Sequence, residues 1–298
     1  MGTLLKDRVA VVTGAGNGLG RAEAKGLAAQ GAIVVVNDIG AEVNGKGTSK
    51  APADLVVNDI IRSGGRAVAN YDSVATEEGA NRIIKTALDN YGRIDVLINN
   101  AGFVRSQMVY DIVTEDWDAL MKVHLYGTMY CTRAASAVMK HQHYGRIVTT
   151  SSHCGLGVTS LAAYSAAKEG ITGFSRTVAR DMGEYGVTCN VIRPIASFRG
   201  IKNQRDSIEV NKPEDVAALV VYLASESAGN INGCIFEVWR GHVGIYADPP
   251  PVEHSLWKKG QWTPEELAET MPLTITKNKK RVPLPLVLPF DIPQPDDK

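Results

Sequence analysis

The sequence has no excess of either charge and no long apolar run. Lysine plus arginine and aspartate plus glutamate each number 32, so the formal net charge is zero. No long-range field therefore favours nucleic acid or an anionic membrane. No stretch approaches the roughly 18 consecutive apolar residues of a membrane span, and Lys6 and Asp7 precede any apolar run long enough for a signal peptide. These absences predict a cytoplasmic protein that binds neither nucleic acid nor membrane.

Cysteine is also scarce and scattered. Cys131, Cys154, Cys189 and Cys234 form no Cys-x-x-Cys pair, which argues against a zinc site and against a secreted disulfide framework. We therefore expect reduced thiols and no metal. Apolar residues, in contrast, make up 44% of the 298 residues, which is ample for a substantial core.

Short β-branched runs alternate along the chain with longer segments of helical periodicity, such as residues 20–30 and 77–91. Continuous apolar strands suit a sheet that is covered on both faces. Alternation of β and α implies parallel strands with right-handed crossovers. The sequence thus predicts an α/β fold with a doubly wound parallel sheet of Rossmann type. The predicted strands are Val9–Val12, Ile33–Val36, Ala67–Ala69, Val96–Ile98 and Arg146–Thr149.

The composition changes near residue 247. Prolines recur from Pro249 onward and forbid long helices, except that Thr263 can cap a short helix with Pro264 at its first position. We predict one domain over residues 1–247 and a C-terminal extension over residues 248–298. Trp257 and Trp262 in the extension either help to bind a bulky substrate or pack the tail onto the core.

A glycine-rich loop follows the first strand and leads directly into a helical pattern. In it, Gly14 permits a tight turn, Gly18 lets the backbone approach a pyrophosphate, and Gly20 allows close packing of helix and strand. The start of the helix offers free N–H groups to the anion. Because a strand precedes the loop and a helix follows it, we interpret the loop as a dinucleotide site rather than an ordinary turn.

Asp38 ends the second strand about 20 residues beyond the glycine loop, where a carboxylate can accept both ribose hydroxyls of an adenosine. A turn-forming aspartate is the alternative. A 2′-phosphate would face this carboxylate at a cost on the order of a few kcal/mol at an effective dielectric constant near 20. Since no arginine directly follows Asp38, the sequence favours NAD over NADP.

Tyr164 and Lys168 lie four residues apart and so share one face of a helix. This spacing alone is a weak signal, but a predicted strand that ends at Ser151 and Ser152 stands ahead of it. Free tyrosine titrates near 10, and a neighbouring Lys168 ammonium and the positive nicotinamide ring both lower that pKa. We therefore predict Tyr164 as the acid/base, Lys168 as its tuner and ribose ligand, and Ser152 as the oxyanion donor.

The glycine loop, the segment Asn99–Gly102 and the Tyr-x-x-x-Lys pair occur in the order typical of one family. Over about residues 5 to 245 the chain resembles the short-chain dehydrogenases/reductases. The resemblance implies an NAD-dependent enzyme that moves a hydride between a secondary alcohol and a ketone. It also implies that Asn99–Gly102 supports the sheet and lines the adenosine side of the cofactor.

A narrower resemblance rests on residues 34–40, 44–49 and 67–74, together with 123–125 and 144–147. These segments resemble the dehydrogenase domains of peroxisomal multifunctional enzymes of type 2. That resemblance implies (3R)-hydroxyacyl-CoA as the substrate, residues 72–74 around the adenine, and a homodimer or homotetramer. The alternatives are a hydroxysteroid or alicyclic alcohol dehydrogenase and, in another functional class, a catalytically silent NAD-binding scaffold.

The chain departs from the family pattern at three places. His124 stands where most members have asparagine, and it acts either through its backbone carbonyl or as a base of its own. Ser152 is one residue closer to Tyr164 than is usual and Ser151 keeps the spacing, but the Ser-x-x-Gly pattern favours Ser152. The Pro-Gly that is usual after the segment Asn190–Arg193 is absent, since Ile195 follows Pro194. After Pro194, Phe198 is a candidate pocket wall, and Arg199 is either a partner for an acidic substrate group or a solvated charge.

The predicted catalytic residues are Ser152, Tyr164, Lys168 and His124. The predicted cofactor-binding residues are Gly14, Asn17, Gly18, Leu19, Gly20, Asp38, Asp72, Ser73, Val74, Asn100, Ala101, Gly102, Tyr164, Lys168, Pro194 and Ile195.

Overall fold

Eight strands form one sheet in the computed structural model, which describes residues 2–195, 212–247 and 250–277. The strands are β1 (Val9–Thr13), β2 (Ile33–Asn37), β3 (Arg66–Asn70), β4 (Val96–Asn99), β5 (Gly145–Thr150), β6 (Val187–Pro194), β7 (Ile235–Trp239) and β8 (His242–Ile245). Their order in the sheet is β3-β2-β1-β4-β5-β6-β7-β8. The first seven strands pair in parallel, so the predicted doubly wound α/β fold is confirmed.

Helices connect these strands and cover both faces of the sheet. They are α1 (Gly18–Ala29), α2 (Ala51–Arg62), α3 (Glu77–Tyr91), α4 (Thr114–Met121), α5 (Gly127–Gln142), α6 (Ala162–Met182) and α7 (Pro213–Leu223). A further helix, α8 (Pro264–Thr270), follows the last strand. A π-helical turn, Lys122–Tyr126, joins α4 to α5. Among the described residues, no helix is both long and apolar enough to span a membrane.

The apolar strands are buried on both sides because successive side chains point to opposite faces. Along β1, Ala10 and Val12 belong to the core that contains helix α1 and α7 residues such as Leu27. Val9 and Val11 instead belong to the core on the other face, with residues of α3 and α5. This two-sided burial explains why the strand sequences lack period-two alternation.

Three strands, β6, β7 and β8, were not among the five predicted ones, and the edge strand β8 runs antiparallel to β7. Trp239 pairs with His242, so only Arg240 and Gly241 form the connection. Arg240 has φ +48°, a left-handed conformation of the kind that tight hairpins require. Because the usual Asn-Gly or Asp-Gly signal is absent, the sequence did not reveal this hairpin.

The carboxyl ends of β1 and β4 meet at the point where the chain reverses its direction of travel across the sheet. β1 lies between β2 and β4, so the connections leave β1 toward opposite sides. Open α/β sheets bind their ligands in the crevice at such a switch point. The loops after β1 and β4 are therefore the place to look for a site.

Two compact units divide the chain, Met1–Tyr246 and Ala247–Lys298. In the second unit, Thr263 and Glu266 form a reciprocal capping box and Pro264 occupies the first turn of α8. The predicted short helix is thus confirmed.

Trp257, in the second unit, is 90% exposed. The four cysteines are free thiols, of which Cys131 and Cys189 are buried.

Candidate active site

The glycine loop after β1 fits closely against the loop after β4. A Cβ at Gly14 would lie 2.7 Å from the Ala101 Cα, and one at Gly20 would lie 2.4 Å from the Asn100 amide and the Gly14 carbonyl. Gly18 has φ +53°, and no described atom lies within 4 Å of its Cβ position. Gly14 and Gly20 therefore permit packing, whereas Gly18 faces open space.

Asn100 forms hydrogen bonds that connect the loop after β4 to the loop after β1. Its side-chain amide donates to the carbonyls of Thr13 and Gly14 at 2.9 and 3.1 Å. The Thr13 hydroxyl in turn accepts from the backbone N–H groups of Asn100 and Ala101, each at 3.1 Å. Sequence reasoning missed Thr13, although its place as the last residue of β1 before Gly14 was a usable signal.

Helix α1 begins without a side-chain cap among the described residues. Asn17 occupies the cap position in an extended conformation, yet it makes no cap hydrogen bond. The first N–H groups of a helix lack partners within the helix and mark its positive end. With Leu19 partly buried against the core and Gly18 open, the residues present fit a pyrophosphate at this position.

Asp38 lies beside the glycine loop at the end of β2. Its two carboxylate oxygens accept backbone N–H groups from Gly16 at 2.7 Å and from Gly40 at 2.6 Å. These bonds fix the orientation of the carboxylate. Each oxygen of a carboxylate has about two acceptor positions, so capacity for hydroxyl donors such as those of a ribose is left.

Residues 72–74 follow β3 at the same edge. The Asp72 carboxylate accepts from Arg82 at 2.6 Å and from the Asn70 amide at 2.9 Å, so internal bonds hold it in place. Ser73 accepts the Ala75 N–H. Val74 is buried against Gly127, where a Cβ would approach its side chain to 2.9 Å. Val74 thus offers an apolar contact, whereas Asp72 has a clear structural role.

Ser152 and Tyr164 are brought together at the end of β5. Ser152 begins the short 3-10 helix His153–Leu156, and its hydroxyl accepts the Cys154 N–H at 3.1 Å. Burial raises the pKa of Tyr164 to about 12, and a hydrogen bond with Ser152 opposes that rise. The protein's own residues therefore keep the phenol protonated, because burial outweighs the hydrogen bond from Ser152. Lys168 is not among the causes of the shift, and the decrease expected from the nicotinamide ring stays a prediction.

Ser151 points elsewhere, although it has the more usual spacing. Its hydroxyl donates to the backbone carbonyl of Lys168 at 2.9 Å and bonds the Thr172 hydroxyl at 3.0 Å. It is 1% exposed. Of the two serines, Ser152 is the one that contacts Tyr164.

Lys168 is buried on the face of α6 that carries Tyr164. Its ammonium donates to the Thr150 carbonyl at 2.6 Å and lies 5.5 Å from the centre of the Tyr164 ring. Burial lowers the pKa of Lys168 to about 7. Tyr164 and Lys168 therefore lie close together, and the Lys168 ammonium is held by a backbone carbonyl at the end of β5.

His124 lies in the π-helical turn and faces this volume. Its Nε2 atom is within hydrogen-bond distance of both the carbonyl and the N–H of Phe103, at 2.7 and 3.2 Å. Its ring stands edge-on to that of Tyr164, with centroids 5.3 Å apart. Burial lowers the pKa of His124 to about 3, and the nearby Lys168 contributes to that decrease. The imidazole is therefore neutral near physiological pH and only weakly basic, and this weak basicity disfavours a role as a separate general base.

Position 102 requires glycine because the His124 ring leaves no room for a side chain, not because the backbone conformation demands it. A Cβ at Gly102 would lie 2.2 Å from the His124 Cε1 atom. The two residues therefore depend on each other sterically. Sequence reasoning assigned both to the site but could not detect their contact, nor the role of Phe103.

Pro194 and Ile195 close the described part of this edge at the end of β6. The Ile195 N–H donates to the Val238 carbonyl at 3.0 Å, and both residues are partly buried. Phe198 and Arg199 lie outside the described residues.

A family comparison agrees with this arrangement. A model of the short chain dehydrogenase family matches residues 8–198 of the chain. The chain belongs to this family. Members are oxidoreductases that act on small-molecule substrates with a nicotinamide cofactor, NAD or NADP, and this short-chain dehydrogenase is accordingly an oxidoreductase.

Individual relatives agree with the family assignment. The chain is 48% identical over 240 residues to peroxisomal multifunctional enzyme type 2 of Mus musculus, a match that covers 80% of this chain and 32% of that enzyme. It is 37% identical over 291 residues to a hydroxyacyl-CoA dehydrogenase of Mycobacterium tuberculosis, covering 90% and 89% of the two chains. A short chain dehydrogenase from Mycobacterium avium superposes with a TM-score of 0.82 at 39% identity, covering 95% and 98%.

The mouse enzyme is much longer than this chain. The chain spans about a third of its length. The resemblance predicted from sequence motifs is nevertheless confirmed for the part that they share.

Proposed function

We propose that this short-chain dehydrogenase uses NAD to interconvert a secondary alcohol and its ketone, with (3R)-hydroxyacyl-CoA as the substrate class. The observation that carries the chemistry is the buried contact between Ser152 and Tyr164, with Lys168 one helical turn away. A hydroxyl donor, an acid/base and a cation are the groups that this reaction needs.

Each of these residues has a separate task in alcohol oxidation. As the phenolate, Tyr164 accepts the proton of the substrate hydroxyl, while a hydride leaves the carbon that bears this hydroxyl. Ser152 donates a hydrogen bond to the substrate oxygen and holds it beside the phenol. Lys168 supplies positive charge next to the phenolate. When bound, NAD supplies the hydride acceptor, and its positive ring favours the phenolate that burial alone disfavours.

The preference for NAD is supported by Asp38. Its carboxylate is fixed by Gly16 and Gly40 at the end of β2, where it would repel a 2′-phosphate. We expect catalytic efficiency with NAD to exceed that with NADP by at least about tenfold, a difference of about 1.4 kcal/mol. Asp38→Ala should weaken NAD binding and narrow the gap. Equal kcat/KM values for the two cofactors in the wild type would overturn the proposal.

The substrate class is supported by the similarity to a hydroxyacyl-CoA dehydrogenase over 90% of this chain. A panel of (3R)-hydroxyacyl-CoAs of increasing chain length, hydroxysteroids and simple secondary alcohols, each assayed with NAD, tests it. The acyl-CoAs should give the highest kcat/KM. A steroid or a small alcohol that outperforms every acyl-CoA would reassign the substrate but leave the hydride chemistry intact. No NADH with any substrate would point to a silent scaffold.

A further inference from the structure

A second polar cluster lies next to the candidate reacting groups. It consists of His153, Glu169, Arg193, Glu237, His242 and Tyr246. Two of its members adjoin predicted catalytic residues in sequence, since His153 follows Ser152 and Glu169 follows Lys168. The proposed reaction uses none of the six.

Tyr246 is at the centre of this cluster. Its hydroxyl donates to Glu237 at 2.8 Å and lies 3.0 Å from the Nδ1 atom of His153. A hydroxyl has a single proton, so while it donates to Glu237 it can only accept from His153. His153, which follows Ser152 in sequence, is therefore linked to β7 through the phenol as well as by its own 3.5 Å contact with Glu237.

Charged groups on neighbouring elements enclose Tyr246. The Arg193 guanidinium is 3% exposed, lies 4.7 Å from the Tyr246 ring centre and pairs with Glu169 at 2.5 Å. Glu237 also contacts His242 at 3.2 Å. Buried charges require such partners, so the ring and its hydroxyl are held from both sides.

These contacts bear on the position of the Ser152 hydroxyl. That hydroxyl caps the turn His153–Leu156 and also bonds Tyr164. The turn is held on the α6 side, where Ser165 donates to the Cys154 carbonyl at 2.7 Å. On the opposite side, the His153 Nδ1 atom contacts the Tyr246 hydroxyl at 3.0 Å and the Glu237 carboxylate at 3.5 Å.

We propose that Tyr246 is a positioning residue that, through His153, sets the Ser152 hydroxyl in place for the reaction. This inference rests on the proposed function, because Ser152 is one of its reacting groups. It gives the antiparallel hairpin β7–β8, with Glu237 on one strand and Tyr246 just beyond the other, a part in catalysis.

The test is a double-mutant cycle with Tyr246→Phe and Ser152→Ala in the full-length protein, assayed with NAD and (3R)-hydroxydecanoyl-CoA. Phenylalanine keeps the ring under Arg193 and removes only the hydroxyl. We expect Tyr246→Phe to lower kcat about tenfold in the wild type and by less than about twofold in Ser152→Ala, because interacting residues are not additive. NAD affinity, measured by fluorescence titration, should not change.

Two controls separate positioning from general loss of structure. Tyr222→Phe makes the same chemical change at an exposed residue of α7 and should leave kcat and the melting temperature unchanged. Glu237→Gln retains an acceptor for the Tyr246 hydroxyl, so it should keep more activity than Glu237→Ala.

The outcomes distinguish two kinds of failure. If Ser152→Ala lowers kcat but Tyr246→Phe has the same effect in both backgrounds, or no effect, the positioning role is wrong and the proposed function stands. If Ser152→Ala leaves kcat unchanged, the proposed function and this inference both fail.

Discussion

The loops after β1 and β2 differ in construction from the loop after β5 and helix α6. On the first side, which we call the cofactor side, backbone groups and glycines define the surface, as in the contacts of Asp38 with Gly16 and Gly40. On the second, the reaction side, buried side chains from separate elements meet at Tyr164. A fixed anion site needs N–H groups and space, whereas proton transfer needs side chains whose pKa values the surroundings can shift.

The largest expected effect is on the reaction side. Tyr164→Phe removes the acid/base and should lower kcat by roughly 10² to 10⁴, the range typical of such a group. NAD should still bind, because the glycine loop and Asp38 are untouched. Steady-state kinetics and a fluorescence titration of NAD measure the two quantities. A variant that retains a tenth of wild-type turnover would exclude Tyr164 as the acid/base.

Glu23 is the exception on the cofactor side, a titratable residue buried in α1. It is fully buried, neither carboxylate oxygen has a hydrogen-bond partner among the described residues, and burial raises its pKa to about 8. The folded protein therefore holds a proton that the unfolded chain releases near pH 4.5. The stability linked to this group is fully present below pH 4.5 and is lost as the pH rises to about 8.

Glu23→Gln should remove this pH-dependent loss of stability. The unfolding free energy of the variant minus that of the wild type should be larger at pH 8.5 than at pH 5, by on the order of a few kcal/mol, since each pKa unit corresponds to about 1.4 kcal/mol. Urea denaturation at the two pH values measures the difference. If the unfolding free energies of the two proteins change equally between the two pH values, Glu23 does not carry the raised pKa. Glu23 would then be no exception to the contrast between the cofactor side and the reaction side.

Gly20→Ala probes the packing on the cofactor side. The new Cβ would lie 2.4 Å from the Gly14 carbonyl, so the backbone must shift. Overpacking of this kind costs about 1–3 kcal/mol, and NAD should bind at least about tenfold more weakly. The control is Gly173→Ala in α6, where no described atom lies within 4 Å of the Cβ position. It should be neutral or stabilise by about 0.5–1 kcal/mol. Equal NAD affinity in the two variants would refute the packing argument.

The smallest expected effect separates the two nitrogens of His124. Glutamine can reach Phe103 as Nε2 does, whereas asparagine is too short. If the contact with Phe103 is what matters, His124→Gln should keep about three to ten times more activity than His124→Asn, which corresponds to one hydrogen bond of about 1 kcal/mol. The reverse order, measured by kcat/KM, would assign the role to Nδ1, which has no hydrogen-bond partner among the described residues.

The sequence by itself determined the parts whose physics is local. The apolar strands, the glycine loop at Gly14 to Gly20, the acid at the end of β2 and the Thr263 cap each follow from residues close together in the chain. Hydrophobic periodicity and the preferences of turn-forming residues act over a few residues, so they can be recognised from the sequence alone. The spacing of Tyr164 and Lys168 also placed them on one helical face.

Only the tertiary structure decided which side chains meet and how burial changes them. The choice of Ser152 over Ser151 depends on which hydroxyl faces Tyr164. The direction of the Tyr164 pKa shift depends on burial, which no spacing reveals. The link from Tyr246 to His153 joins residues 93 positions apart. Such contacts depend on strand order and helix packing, so the sequence could name candidate reacting residues but not the side chains that contact them.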